Sequence, residues 1–159
     1  DVPYPGDSNK PIRLEFEDYH DKLEKSNENI KVNRFDNGNP DSEHGYSSVM
    51  IMTEVGDYVV YNMSIPFAGN YNISLNYKLS QTNRGSAQFY YVKEDGTEVA
   101  LGQPVNQSTS GSERMVTTDL GTYKIEKAGK LRIKMKLVDG GISGSRKYIG
   151  GNYIIFTKQ

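Results

Sequence analysis

The sequence has no cysteine, no tryptophan and only two histidines among its 159 residues. Without cysteine, a disulfide framework, a cysteine nucleophile and a thiolate zinc site are all excluded. His20 and His44 stand in polar stretches, with no nucleophile at a recognisable spacing from either. No glycine-rich phosphate loop follows a strand and opens a helix; GGISGSRKYIGG lacks that context. Catalysis is therefore not expected. Charge of one sign is also missing, since 19 basic and 20 acidic residues leave a net charge of −1. Nucleic acid and anionic membrane surfaces both need a basic patch, so neither is expected as a partner. No apolar run approaches the ~18 residues of a membrane span, and no membrane insertion is expected. No leader-like segment opens the chain, as expected of a mature or excised stretch.

What is present is turn chemistry and tyrosine: 16 Gly and 12 Tyr, with abundant Asn and Ser. That composition suits an all-β extracellular binding module. Residues 1–11, DVPYPGDSNKP, carry three prolines and no periodicity and read as a linker or N-terminal tail, leaving 12–159 as one domain. In the next stretch, Ile12, Leu14 and Phe16 alternate with Arg13, Glu15 and Glu17, which predicts a first strand. Residues 20–46 are polar and read mostly as loop, with room for a short helical turn near 21–25.

The clearest pattern is 56–78, GDYVVYNMSIPFAGNYNISLNYK. Period-two alternation runs through Val59, Tyr61, Met63 and Ile65, breaks at Pro66–Gly69, and resumes through Tyr71, Ile73, Leu75 and Tyr77. The natural expectation is two antiparallel strands joined by a short turn. Lys93-Glu94-Asp95-Gly96 predicts a hairpin turn. Residues 126–129 repeat the Ala-Gly punctuation before another alternating run, Leu131 to Leu137. The glycine-rich stretch 139–151 precedes a last strand at 152–157. Eight to ten short strands, with no convincing helix, predict an antiparallel two-sheet β-sandwich, and the doubled Ala-Gly pattern fits a jelly roll.

Glu15 and Glu17 leave one face of a strand together. Paired carboxylates suit a hard cation, although a solvated strand face is the commoner reading of such a pair. In sequence order, LEFEDY (14–19), GDYVVYNMSIPFAGNYNISLNY, AGKLRIKMKL and GGNYIIFTK resemble the landmark strands of family 6 carbohydrate-binding modules and their family 35 relatives. The resemblance spans residues 12–158. It implies a jelly roll with a structural calcium held by Glu15, Glu17 and Asn152, the last standing where the family usually has aspartate. It also implies sugar binding by loops at one end of the sandwich.

Three departures affect that sugar site. Residues 109–114, TSGSER, lack the family's Trp, Ile51 stands near a usual aromatic, and Gly150 stands where an Asn is common. The substitute candidates are the loop aromatics Tyr46 and Tyr148 beside Glu43, His44, Arg146 and Lys147, with Arg146 and Lys147 able to read an acidic sugar. Tyr58, Tyr90 and Asn62 form an alternative on a sheet face. The resulting expectation is a non-catalytic polysaccharide-binding module, secreted or at a bacterial cell surface or periplasm, monomeric or tethered to a catalytic domain. The alternative is a structural or adhesive sandwich that has lost its sugar site.

Overall fold

A computed structural model describes residues 10–18, 23–36, 46–81, 83–141 and 146–159 of the chain. Among these residues there are strands and turns and no helix. The strands are β1 (Ile12–Glu15), β2 (Glu24–Lys25), β3 (Lys31–Asp36), β4 (Tyr46–Ile51), β5 (Tyr58–Ile65), β6 (Gly69–Leu79), β7 (Ser86–Val92), β8 (Glu98–Asn106), β9 (Arg114–Ile125), β10 (Gly129–Asp139), β11 (Tyr148–Gly151) and β12 (Tyr153–Lys158). They form a four-stranded sheet in the order β1-β12-β6-β9, a five-stranded sheet β2-β5-β10-β7-β8, and a three-stranded sheet β11-β4-β3. Every pairing between these strands is antiparallel.

The alternating run at 56–78 does not fold as a hairpin. β5 pairs with β2 and β10, whereas β6 pairs with β12 and β9 in the other sheet. The Pro66–Gly69 break is an arch that carries the chain across the core. The second Ala-Gly break does the same, because β9 and β10 also lie in different sheets. Both arches end on a glycine at positive φ, 149° at Gly69 and 125° at Gly129, where a side chain would be strained. Alternation reveals which face is buried but not which strand lies alongside. Val59 and Tyr61 from one sheet, and Tyr71, Ile73 and Leu75 from the other, meet in one core. Phe16 reaches across that core, its ring 5.0 Å from Tyr61 and 6.1 Å from Phe89.

The hairpin at residues 93–96 does form: β7 pairs with β8, Gly96 adopts φ 89°, and Lys93 N donates to Thr97 O at 2.9 Å. Two strands occupy the stretch expected to be loop. Glu24–Lys25 adds to β5, replacing the helical turn, and Lys31–Asp36 adds to β4. Both are outer strands of their sheets, where polar side chains face water and little apolar patterning is needed. Pro104 lies in β8, also an outer strand, where a missing N–H costs least. Residues 1–9, most of the expected linker, lie outside the described residues.

Candidate functional site

The two glutamates of the LEFEDY stretch, one ending β1 and the other in the turn after it, are not on a solvated face. Glu15 is 3% exposed and Glu17 1%, because the chain turns inward where β1 ends. β1 lies against the last strand, with Glu15 opposite Tyr153 and Phe16 N donating to Asn152 O at 3.0 Å. Asn152, fully buried, thereby stands between the two glutamates along the backbone. Its Nδ2 donates to Asn76 Oδ1 at 2.8 Å, and Asn76 Nδ2 donates to Thr117 Oγ1 at 2.9 Å. This amide relay fixes the orientation of Asn152 and leaves its Oδ1 buried with no hydrogen bond. Glu15 Oε1 is engaged by Arg13, at 2.7–2.8 Å, and the Arg13 guanidinium also lies 3.6 Å from the Tyr153 ring centroid.

Buried acceptor oxygens are costly unless a hydrogen-bond donor or a cation meets them. Two carboxylates and an oriented amide oxygen make an all-oxygen donor set, the kind that hard divalent cations take. The described residues bring no third His, Cys, Asp or Glu to a common point. Asn152 adds a side-chain amide oxygen at this edge, its orientation fixed by Asn76.

A second polar feature occupies one end of the sandwich. Three connections converge there: β6–β7, β8–β9 and β10–β11. Backbone hydrogen bonds tie them together, from Gln107 N to Gly85 O (3.1 Å), Ser80 N to Gln107 O (3.0 Å), Gly85 N to Tyr148 O (2.9 Å) and Tyr148 N to Asn83 O (2.8 Å). Gln107, fully buried, doubles the tie: its Nε2 donates to Gly150 O and its Oε1 accepts from Gly150 N, both at 2.8 Å. Glu113 braces the β8–β9 connection by accepting from Ser80 Oγ at 2.7 Å and from Gln81 N at 2.9 Å, and these bonds hold its carboxyl below the usual range.

The walls so formed enclose a two-lobed cleft. One lobe, ≈ 380 Å³, is lined by Arg84, Gly85, Ser86, Asn106, Ser108, Asp139, Gly141 and Arg146. The other, ≈ 630 Å³, is lined by Gln81, Asn106, Ser108, Thr109, Ser110 and Arg146. Arg84 is 6% exposed; burial pulls its guanidinium below the ordinary value, and the Glu113 charge opposes this. Amides, hydroxyls and guanidiniums on preorganised loops suit a ligand rich in hydroxyl groups. A smaller cleft, ≈ 240 Å³, lies at the opposite end, between the β7–β8 turn and the β9–β10 arch.

Of the residues expected to contact sugar, Arg146 lines the cleft. Lys147 and Tyr148 are half-buried beside it, Lys147 O accepting from Met52 N at 3.0 Å and Tyr148 opposite Ile51 in β11. Tyr46 begins β4 and Tyr148 pairs with its last residue, Ile51, so their backbones stand roughly 16 Å apart along the sheet. Glu43 and His44 lie outside the described residues. Gly150 admits no asparagine, because a Cβ there would collide with Ser48 O, and Gln107 uses its backbone instead. On the five-stranded sheet, Lys134 Nζ sits 3.9 Å from the Tyr58 ring centroid and 5.6 Å from that of Tyr90, which places a cation between the two rings expected to stack sugar. Arg84, Asn106 and Gln107 are site residues that periodicity could not reveal, since they meet only when three separate connections fold together.

Comparison with known proteins was made on this geometry. The sequence profile of carbohydrate binding module (family 35) matches residues 26–145. No curated protein matches the chain by sequence. Among solved structures, a xanthan lyase from Paenibacillus is similar over 99% of this chain at 18% identity and a TM-score of 0.69, the chain spanning 14% of that protein. The C-terminal CBM6 of LamC, a marine laminarinase from Zobellia galactanivorans, is matched over 93% of this chain and 99% of its own, at 21% identity and a TM-score of 0.58. A GH26-CBM35 β-(1,4)-mannanase from Podospora anserina is matched over 95% of this chain and 28% of its own, at 16% identity and a TM-score of 0.58. Likeness at such identity speaks to the fold, which is that of these jelly-roll modules. The profile covers most of the chain, and the chain belongs to the carbohydrate-binding modules of family 35.

Proposed function

We propose that the chain is a non-catalytic module that binds a polysaccharide in the cleft bounded by the β6–β7, β8–β9 and β10–β11 connections. The observation that carries this reading is the convergence of Gln81, Asn106, Ser108 and Arg146 on loops already locked by hydrogen bonds. Such a site reads hydroxyls without first having to order itself. The module would act by tethering: a catalytic domain joined to it would be held at high effective concentration on its polymer. A tethered role is supported by the xanthan lyase and the mannanase, of which this fold is one part. A secreted or cell-surface location, where structural polysaccharides are met, belongs to the same proposal, and cell fractionation tests it.

A calcium ion held by Glu15, Glu17 and Asn152 belongs to this proposal as a structural cofactor. Buried Asn152 Oδ1 is the observation that favours it. At the edge where β1 meets β12, the ion would fasten the first strand to the last and would take no part in sugar chemistry.

Affinity electrophoresis of the isolated domain through gels containing plant, algal and bacterial polysaccharides tests the binding site. Retardation by at least one polymer is expected, reduced at least fivefold in affinity by Asn106→Ala. Retardation abolished by Tyr58→Ala but untouched by Asn106→Ala would move the site to the sheet face. Silence across all polymers, with the domain folded, would favour a structural or adhesive sandwich.

A further inference from the structure

We propose that Arg13 is a counter-ion built into the β1–β12 edge: it neutralises Glu15 while no divalent cation is present and competes with such a cation for that carboxylate. The competition rests on the calcium reading above; the neutralisation stands without it. Arg13 and Glu15 are two apart on β1 and leave the same face of the strand. Nε and one Nη of Arg13 both converge on Glu15 Oε1, at 2.8 and 2.7 Å. The Glu15 side chain is 2% exposed and that of Arg13 32%, so the pair spans the boundary between core and water. A carboxylate so deeply buried needs a charge or several donors beside it. Arg13 brings both from the same strand.

The guanidinium is also fixed in place. Tyr153 lies opposite Glu15 in register, a diagonal step from Arg13, and its ring centroid is 3.6 Å from the guanidinium carbon. Planar, weakly hydrated and stacked, the group loses little freedom in holding Glu15. It thereby fastens β1, four residues long and an outer strand of its sheet, to β12. A second guanidinium arrives from β3, where Arg34 Nε donates to Glu17 O at 3.0 Å. Glu15 and Glu17 against Arg13 and Arg34 sum to a formal charge of zero, and Asn152 adds none. A divalent cation entering here would share Glu15 Oε1 with two N–H donors and stand close to a like charge. Removing Arg13 should therefore strengthen cation binding, which loss of a merely structural side chain would not do.

Thermal melting in chelator and calorimetric titration of the stripped domain with calcium chloride test the two halves, in the parent, Arg13→Gln and Arg13→Lys. In chelator, Arg13→Gln is expected to melt about 2–4 °C below the parent. Arg13→Lys should fall between them, since it keeps the charge but loses the fork and the stack. With calcium, Arg13→Gln is expected to bind about fivefold more tightly than the parent, because a like charge has been removed. Equal melting of the parent and Arg13→Gln in chelator overturns the neutralisation. A calcium affinity unchanged or weakened by Arg13→Gln overturns the competition and leaves the calcium reading standing. Absence of calcium heat from all three proteins removes the calcium reading and the competition together, and the melting in chelator then decides the neutralisation alone.

Discussion

Two buried acidic sites in this molecule solve the same problem differently. Asp57, 5% exposed, sits at the entrance to β5 and collects its own donors: Thr53 N at 2.8 Å, Thr53 Oγ1 at 2.6 Å, and Glu54 N and Ser26 Oγ at 3.3 Å. Burial alone would push its carboxyl up, but the bonds from Thr53, Glu54 and Ser26 outweigh that and hold it below the ordinary value. At the β1–β12 edge, two glutamates are buried as deeply, and the oriented Asn152 Oδ1 accepts no hydrogen bond. A turn that supplies every donor closes itself. The bare amide oxygen at the β1–β12 edge is what the proposed cation would complete.

The largest effect should come from removing the proposed completion. A cation present at 100 times its dissociation constant adds about 2.7 kcal/mol to folding. For a domain of this size that is roughly 5–11 °C in melting temperature. Scanning calorimetry in calcium and then in chelator should show this difference, and Glu17→Gln should abolish it. Identical melting curves in the two buffers, with no calcium heat by titration, would leave the Asn152 cluster without its cation.

Asp57→Asn probes the other side. The amide keeps one acceptor and turns an N–H₂ toward donors, leaving buried groups unsatisfied at a cost of about 1–3 kcal/mol. That loss should be the same with and without calcium. A calcium-dependent loss would mean that the two sites are coupled and the contrast between them is false.

Much of this contrast was legible in the sequence, and some could not have been. LEFEDY marks the paired carboxylates, and the order of four landmarks marks the jelly roll, because alternation and turn chemistry are local. Burial of Glu15 and Glu17 was not local: it follows from the inward turn at Phe16, whose ring fills the core between Tyr61 and Phe89. The arch at Pro66–Gly69 reads as a hairpin for the same reason, since both strands are half-buried whichever sheet they join. The cleft was least visible. Arg84, Gln107 and Arg146 are far apart in sequence and carry no period, and the crowding that bars any side chain at Gly150, whose backbone Gln107 holds, shows only in the fold.

Asn152→Asp sharpens the comparison by changing sign with conditions. A third carboxylate should raise calcium affinity about tenfold, because hard cations favour charged oxygen. In chelator the same substitution adds a buried like charge and loses the Nδ2 donor to Asn76, so melting should fall by about 2–5 °C. A variant more stable than the parent in both buffers would show that the introduced carboxylate finds a protein donor and that no cation is needed.

The smallest expected effect lies on the acid limb of the stability curve. Asp57 has its carboxyl lowered in the folded protein, so below neutrality the unfolded chain takes up its proton first. The stabilisation is complete above the unfolded value near 3.8 and drains away as pH falls through the lower folded value. Chelated protein isolates this limb from any contribution of the proposed cation. Urea midpoints in chelator should therefore decline between about pH 4 and 2 for the parent. Asp57→Asn has no carboxyl to protonate, and its decline over that window should be shallower by the share that Asp57 contributes. Parallel curves for the two proteins would mean that the Thr53–Asp57 turn contributes equally whether or not its acceptor is charged, and that the difference between the two buried sites is one of shape rather than of electrostatics.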